Sequence, residues 1–275
     1  VSTTGQQPAR TGHFSALLQV LRFYSRLPVP AFRAEQDAHA MPDFARAAWA
    51  IPVAGAVIGT CGAAAGGLAY LAGLSTAVAA TLTIATLVIA TGAFHEDGLA
   101  DCCDGFWGGA DPERRREIMK DSRVGTFGAA ALVISIGLRI LALTELFRLI
   151  GPASVIIVIG IGAASRPLAL LPTLFIPPAP GPGLGASAPL PGRRALLGAI
   201  AIGLCALAGA SLPLGLLAGL PASLIAALVA IVIVARLAET KIGGQTGDVL
   251  GAAQQLVEIA LLTGLSAAAN WQGPV

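Results

Sequence analysis

Charge is the scarcest commodity in this 275-residue sequence. Only 12% of residues are Asp, Glu, Lys or Arg, while 55% are hydrophobic and the mean hydropathy is +0.78. Soluble domains carry about 25% charged residues, so a water-soluble globule is excluded on composition. Disorder is excluded too, because disordered chains combine low hydrophobicity with high net charge, and the net charge here is +2. That small excess implies no nucleic-acid partner. Aromatics make up only 5%. Cysteine is sparse and unpatterned: Cys61 and Cys205 sit in apolar runs and Cys102 and Cys103 are adjacent, which is no disulfide framework. His95 beside the Cys pair lacks the four-ligand set of a structural zinc site. There is no nucleophile elbow, Walker motif or dinucleotide fingerprint, no secretory signal peptide and no clear internal repeat.

What is abundant is Ala, Leu, Ile, Val and 34 Gly. These predict an all-α, polytopic integral membrane protein whose small residues let helices approach closely. A span needs about 20 apolar residues. Seven stretches qualify: 47–73, 76–94, 126–147, 152–172, 195–212, 213–234 and 249–269. Residues 14–27 read as an N-terminal amphipathic helix, lying at a membrane surface or packed on the bundle. Residues 176–192 are Pro/Gly-rich and must be loop. Residues 1–275 form a single membrane domain. Segments 1–46, 95–125, 173–194 and 235–248 hold fourteen of the seventeen Lys and Arg. By the positive-inside rule, the N-terminus and these polar segments are cytoplasmic and the C-terminus external.

Eight of the fifteen acidic residues crowd into 95–125: Glu96, Asp97, Asp101, Asp104, Asp111, Glu113, Glu117 and Asp121. Like charges so close are unfavourable without a cation. Asp97, Asp101 and Asp104 recur at i, i+4, i+7, one face of a helix. Three carboxylates there suit a hard divalent cation such as Mg²⁺, which uses few carboxylates and completes its shell with water and substrate phosphate; a solvated acidic face is the plainer alternative. Asp111 and Pro112 open a second helix. Arg116, Lys120 and Arg123 recur at i, i+4, i+7 as a basic face suited to phosphate oxygens, with Ser122 and two glycines leaving room for a ligand. Arg114–Arg116 also serves to fix topology. A third polar island, Gly243, Gly244, Thr246, Gly247 and Asp248, opens the last span. Its free N–H groups suit an anion, though a simple capping turn explains it almost as well. Glu258, Gln254 and Gln255 line a cavity or bond across helices, and the intramembrane Arg139 and Arg166 require partners.

These motifs resemble one family. FHEDGLADCCDG (94–105), EIMKDSRVGTFG (117–128) and KIGGQTGDVLGA (241–252), with LRFYSRLPVP (21–30), are similar to the cobalamin-5′-phosphate synthases, or adenosylcobinamide-GDP ribazoletransferases, over nearly the whole chain. The Cys102–Cys103 pair departs from the expected pattern. The resemblance implies a prokaryotic inner-membrane, Mg²⁺-dependent enzyme. It would join adenosylcobinamide-GDP and α-ribazole, or its 5′-phosphate, releasing GMP. Catalysis would fall to His95, Asp97, Asp101, Asp104, Lys120 and Arg123. Glu96, Asp97, Asp101, Asp104 and Asp248 would hold metal. Arg116, Lys120, Ser122, Arg123 and the 243–248 turn would bind substrate. Self-association is left open. A CDP-alcohol phosphotransferase fits less well, since Phe106-Trp107 follows Asp104-Gly105 where that pattern has Ala-Arg. A prenyltransferase lacks its duplicated Asp motif here. A transporter should place its polar residues at the midplane, not at one edge.

Overall fold

The computed structural model describes residues 12–31, 41–181 and 189–272; most of the Pro/Gly-rich centre of 176–192 lies outside them. Among the described residues, eleven α-helices follow one another: α1 His13–Tyr24, α2 Phe44–Ala47, α3 Ala50–Leu71, α4 Thr76–Thr91, α5 Phe94–Gly108, α6 Pro112–Ile118, α7 Thr126–Ile150, α8 Ser154–Ala169, α9 Arg193–Ser211, α10 Leu220–Ile242 and α11 Gly247–Gln272. No strand forms among them; a single parallel bridge joins Pro178 to Gln245. The architecture is an all-α, multi-pass membrane bundle.

The helices pack closely because glycines remove side chains at the crossings. A Cβ on Gly55 would collide with the Gly162 carbonyl, and one on Gly59 would lie 3.0 Å from the Val158 carbonyl. This locks α3 onto α8. Lipid tails are as apolar as leucine, so such close backbone approach, not hydrophobic burial, drives association between spans. The last helix, α11, is central: it packs against α5, α7, α8 and α10.

Five helical stretches are long and apolar enough to cross a membrane: Ala50–Leu71, Thr126–Leu174, Arg193–Leu214, Leu216–Ile242 and Gly247–Gln272. A sixth exists if α4 and α5, bent by 87° at their junction, count together. The seven spans expected from the sequence are therefore not established by this count, for two reasons. Residues 126–174 count once, although 49 helical residues in a straight line would reach about 70 Å. The stretch instead turns back at Gly151, where φ is 59°. Accordingly, neighbouring α11 residues bond to both arms: Glu258 to Arg139 of α7, and Gln254 to Ser165 of α8.

The second reason is that α4 has only 16 residues. It stops at Gly92 and Ala93, both left-handed, with φ of 65° and 58°. The Arg26 side chain crosses Gly92 so closely that a Cβ there would sit 2.8 Å from it, and the Arg26 N–H donates to the Ala90 carbonyl at 2.7 Å. The 87° bend sets α5 almost perpendicular to α4. The 15-residue α5 is too short to cross by itself.

Candidate active site at the junction of α5 and α11

The 243–248 turn is built by the end of α10 and the start of α11. Gly243 ends α10 with φ of 85°. The Gly244 position faces the Pro177 carbonyl with no room for a side chain, and Gln245 pairs with Pro177 and Ala179 through backbone bonds of 2.8 and 2.9 Å. Thr246 caps α11: its hydroxyl accepts from the Val249 N–H at 3.3 Å and donates to the Asp248 carboxylate at 3.3 Å. The capping role that could have explained Asp248 thus belongs to Thr246, which leaves the Asp248 carboxylate free of any backbone bond among the described residues.

Gly98 brings α5 against this turn. A Cβ there would lie 2.8 Å from the Asp248 carbonyl oxygen and 3.0 Å from its Cα. The two polar islands, 150 residues apart in sequence, are therefore in contact. Gly98→Ala is expected to push them apart, at a cost of about 1–3 kcal/mol, with loss of activity outrunning loss of folded protein. Thermal unfolding and turnover measured side by side check this.

The structure sorts the expected ligands. Asp97 is exposed and Asp101 partly so. Burial, then the carboxylates of Asp97, Asp248 and Asp104, push the Asp101 carboxyl up to about 7. Those four carboxylates therefore share one electrostatic neighbourhood. Asp104, however, is buried and accepts from the N–H groups of Gly125 at 2.7 Å and Gly128 at 2.9 Å. It anchors the N-terminus of α7, where the helix dipole favours a carboxylate. Glu96 points away from Asp97 into the bundle, pairing with Arg139 at 3.0 Å. His95 lies about 200° around the helix from Asp97, stacked on Tyr24 with ring centroids 5.9 Å apart.

The basic face differs more. α6 does begin at Asp111, whose carboxylate caps the Arg114 N–H at 2.8 Å, with Pro112 in the first turn. It ends at Ile118, so Arg116, Lys120 and Arg123 share no continuous helical face. The cause is local: Asp121 accepts from the Arg123 N–H at 3.1 Å and grips its guanidinium, forming a turn that competes with the helix. The same hydrogen bonds hold the exposed Asp121 carboxyl down at about 2. Arg116 instead donates to the Ile242 carbonyl at 2.8 Å and Arg115 to that of Lys241 at 3.2 Å. They cap the C-terminus of α10 and tie the loop to the 243–248 turn. Lys120 and Ser122 stay exposed.

Deeper in the bundle, Arg139 also meets Glu258 at 3.3 Å. Gln254 donates to Glu258 at 2.7 Å and Gln255 to Glu96 at 3.3 Å, while Ser135 donates to Gln255 at 3.1 Å. This network answers the need of the intramembrane Arg139 for partners, and the glutamines both bond across helices and line a cavity. Burial this deep tolerates charge only when paired.

Among the described residues, no three His, Cys, Asp or Glu side chains stand together as a ready-made metal cage. The donors that remain, Asp97, Asp101 and Asp248, are hard oxygens. They suit an ion that takes one or two carboxylates and fills its shell from water and substrate phosphates. By donor type they are compatible with Mg²⁺, although they do not form a preformed cage.

Fold and site together define a multi-pass helical membrane protein with an acidic junction at one end of its bundle. The chain belongs to the cobalamin-5-phosphate synthase family, whose model matches residues 16–266. It is 47% identical over 250 residues to a protein of Azorhizobium caulinodans, covering 89% of this chain and 92% of that one. Identity is 45% over 256 residues to one of Xanthobacter autotrophicus, covering 90% and 94%. For one of Bradyrhizobium diazoefficiens it is 42% over 241 residues, covering 87% and 88%. All three are named adenosylcobinamide-GDP ribazoletransferase. No solved structure matches the chain.

Proposed function

We propose that this protein joins adenosylcobinamide-GDP to α-ribazole or α-ribazole 5′-phosphate, giving adenosylcobalamin or its 5′-phosphate and GMP. Family membership supplies the reaction; the contact of Gly98 with Asp248 supports its location, because it brings the two polar islands together. A hydroxyl of the ribazole attacks the cobinamide-side phosphorus, the bond to the GMP oxygen breaks, and the hydroxyl proton leaves to a carboxylate of the same face. Asp97, Asp101 and Asp248 would hold Mg²⁺, and the ion when bound would supply charge neutralisation for the diphosphate and the departing GMP. The exposed Lys120, with Arg123 once released from Asp121, offers cations to phosphate oxygens. The N–H groups opening α11 add donors at the positive end of the helix dipole.

Family membership suggests a prokaryotic inner-membrane location, and the segregated Lys and Arg residues support this junction facing the cytoplasm. Cysteines placed singly at Arg114 and at Leu74, in a background without the native thiols, test it. Labelling should reach the first only from the cytoplasmic side and the second only from outside. The decisive assay is GMP release from adenosylcobinamide-GDP by purified protein. Release should require both α-ribazole and Mg²⁺ and match the cobalamin formed; no release, or release indifferent to α-ribazole, would defeat the assignment.

A further inference from the structure

We infer that a separate aromatic cleft beside α11 seats the flat base of the acceptor nucleoside. This rests on the reaction proposed above and names where one of its two substrates is held. The cleft is lined by Phe23 and Tyr24 of α1, Phe44 of α2, Phe94 and His95 of α5, and Arg166 of α8, and closed by the first two turns of α11. Its enclosed free space is about 60 Å³, and about 610 Å³ when the open mouth is counted. Its rings are already arranged: Phe23 meets Phe44 and Phe94 edge-on at 5.1 and 5.4 Å.

The walls are apolar and aromatic, which suits a flat, largely apolar ring system. The polar groups of the lining are the Tyr24 hydroxyl, the His95 imidazole, the Gln254 amide and the Arg166 guanidinium. Arg166 is only 5% exposed, and its Nε has no hydrogen-bond partner among the described residues. One guanidinium nitrogen donates to the Gly162 carbonyl at 3.1 Å, and the group lies 5.9 Å from the Tyr24 ring centre. Gln254 is already engaged with Ser165, Glu258 and Gln255. An orphaned buried donor is costly unless a ligand satisfies it.

These features select between the two substrates. Guanine carries donors and acceptors around most of its edge, and apolar walls would leave them unpaired. A benzimidazole linked to ribose through one nitrogen has a single acceptor nitrogen and an otherwise apolar edge. The buried Arg166 N–H donor can pair with that nitrogen, and the mainly apolar lining suits the rest of the ring. Arg166 is permanently charged, so it also disfavours the protonated base. The cleft reaches the acidic junction along α11: Gly247 lines it, and the next residue is Asp248. A base seated in the cleft therefore places its ribose beside the carboxylates.

The test compares α-ribazole and guanosine binding to the purified full-length protein in detergent with chelator, and the two substrate KM values in cleft variants. Parent protein should bind α-ribazole without metal and guanosine at least tenfold more weakly. Arg166→Met should raise the KM for α-ribazole at least tenfold and that for adenosylcobinamide-GDP less than twofold. Arg166→Met risks misfolding beside Glu258, so Leu250→Phe, which narrows the cleft, gives a second reading of the same split. A rise confined to adenosylcobinamide-GDP, or no preference for α-ribazole over guanosine, overturns the inference while leaving the overall reaction standing. If the parent releases no GMP from adenosylcobinamide-GDP, the proposed reaction fails, and the binding comparison alone decides the cleft.

Discussion

Asp101→Asn is expected to yield a protein that is more heat-stable than the parent in metal-free detergent and at least about a hundredfold slower, the scale for removing one preorganised electrostatic group. Both halves come from one cause. Burial and the neighbouring carboxylates raise the Asp101 carboxyl to about 7 in the folded protein, against an ordinary 3.8. A carboxyl raised on folding makes the folded state bind more protons than the unfolded one. Stability then falls as pH rises from about 4 through 7. Every tenfold gain in proton affinity corresponds to about 1.4 kcal/mol, and partial exposure reduces the total to roughly 1–2 kcal/mol at pH 8. Asn carries no charge and escapes the penalty. Its gain should be present at pH 8 and absent near pH 4. Mg²⁺ should raise the melting temperature of the parent at pH 8 by binding the folded state, and raise that of the variant much less. Melting curves at the two pH values, with chelator and with Mg²⁺, measure all of this. An Asn variant that is active, or no more stable than the parent at pH 8, would remove Asp101 from the metal-holding group.

The bundle was readable from sequence because apolar length is a local property. Each of the seven apolar stretches overlaps a helix, two of them only 16 residues long, but where the chain turns is not local. Nothing around Phe94 marks Ala93 for a left-handed conformation; the Arg26 strap, nearly 70 residues upstream, accompanies it. Helical periodicity correctly put Asp97, Asp101 and Asp104 on one face. It could not show that Gly125 and Gly128 would take up the third of them, because a helical wheel reports shared direction and not the partner opposite. The same blindness applies to Glu96, which looked like a member of the acidic patch and is the counter-ion of Arg139. The basic face failed for a local reason that was available: Asp121 followed by Ser122 is turn chemistry, and it outweighed the i, i+4, i+7 count. The aromatic cleft had no local signal at all, since Phe23, Phe44 and Phe94 are drawn together only by the packing of α1, α2 and α5.

Asp248 gives the sharpest separation of structural from chemical roles. Asp248→Asn is expected to lose at least about a hundredfold in activity with no loss of expression or thermal stability, since removing this carboxylate relieves repulsion on Asp101. The Asn oxygen can still accept from the Thr246 hydroxyl, so the 3.3 Å contact survives. The cap of α11 is untouched, because the Val249 N–H is satisfied by Thr246. What disappears is one negative charge at the contact with α5. Thr246→Ala should do the opposite. It removes the cap, which costs about 1 kcal/mol, and leaves the carboxylate in place, so the protein melts earlier but turns over within a few-fold of the parent. Turnover, melting temperature and the Mg²⁺ concentration for half-maximal activity, measured on both variants, form a crossed design. In Asp248→Asn the Mg²⁺ requirement should rise sharply; in Thr246→Ala it should stay near that of the parent. If both variants lose stability together and activity in proportion, the turn is only a helix start. The chemistry would then be confined to Asp97 and Asp101 on α5.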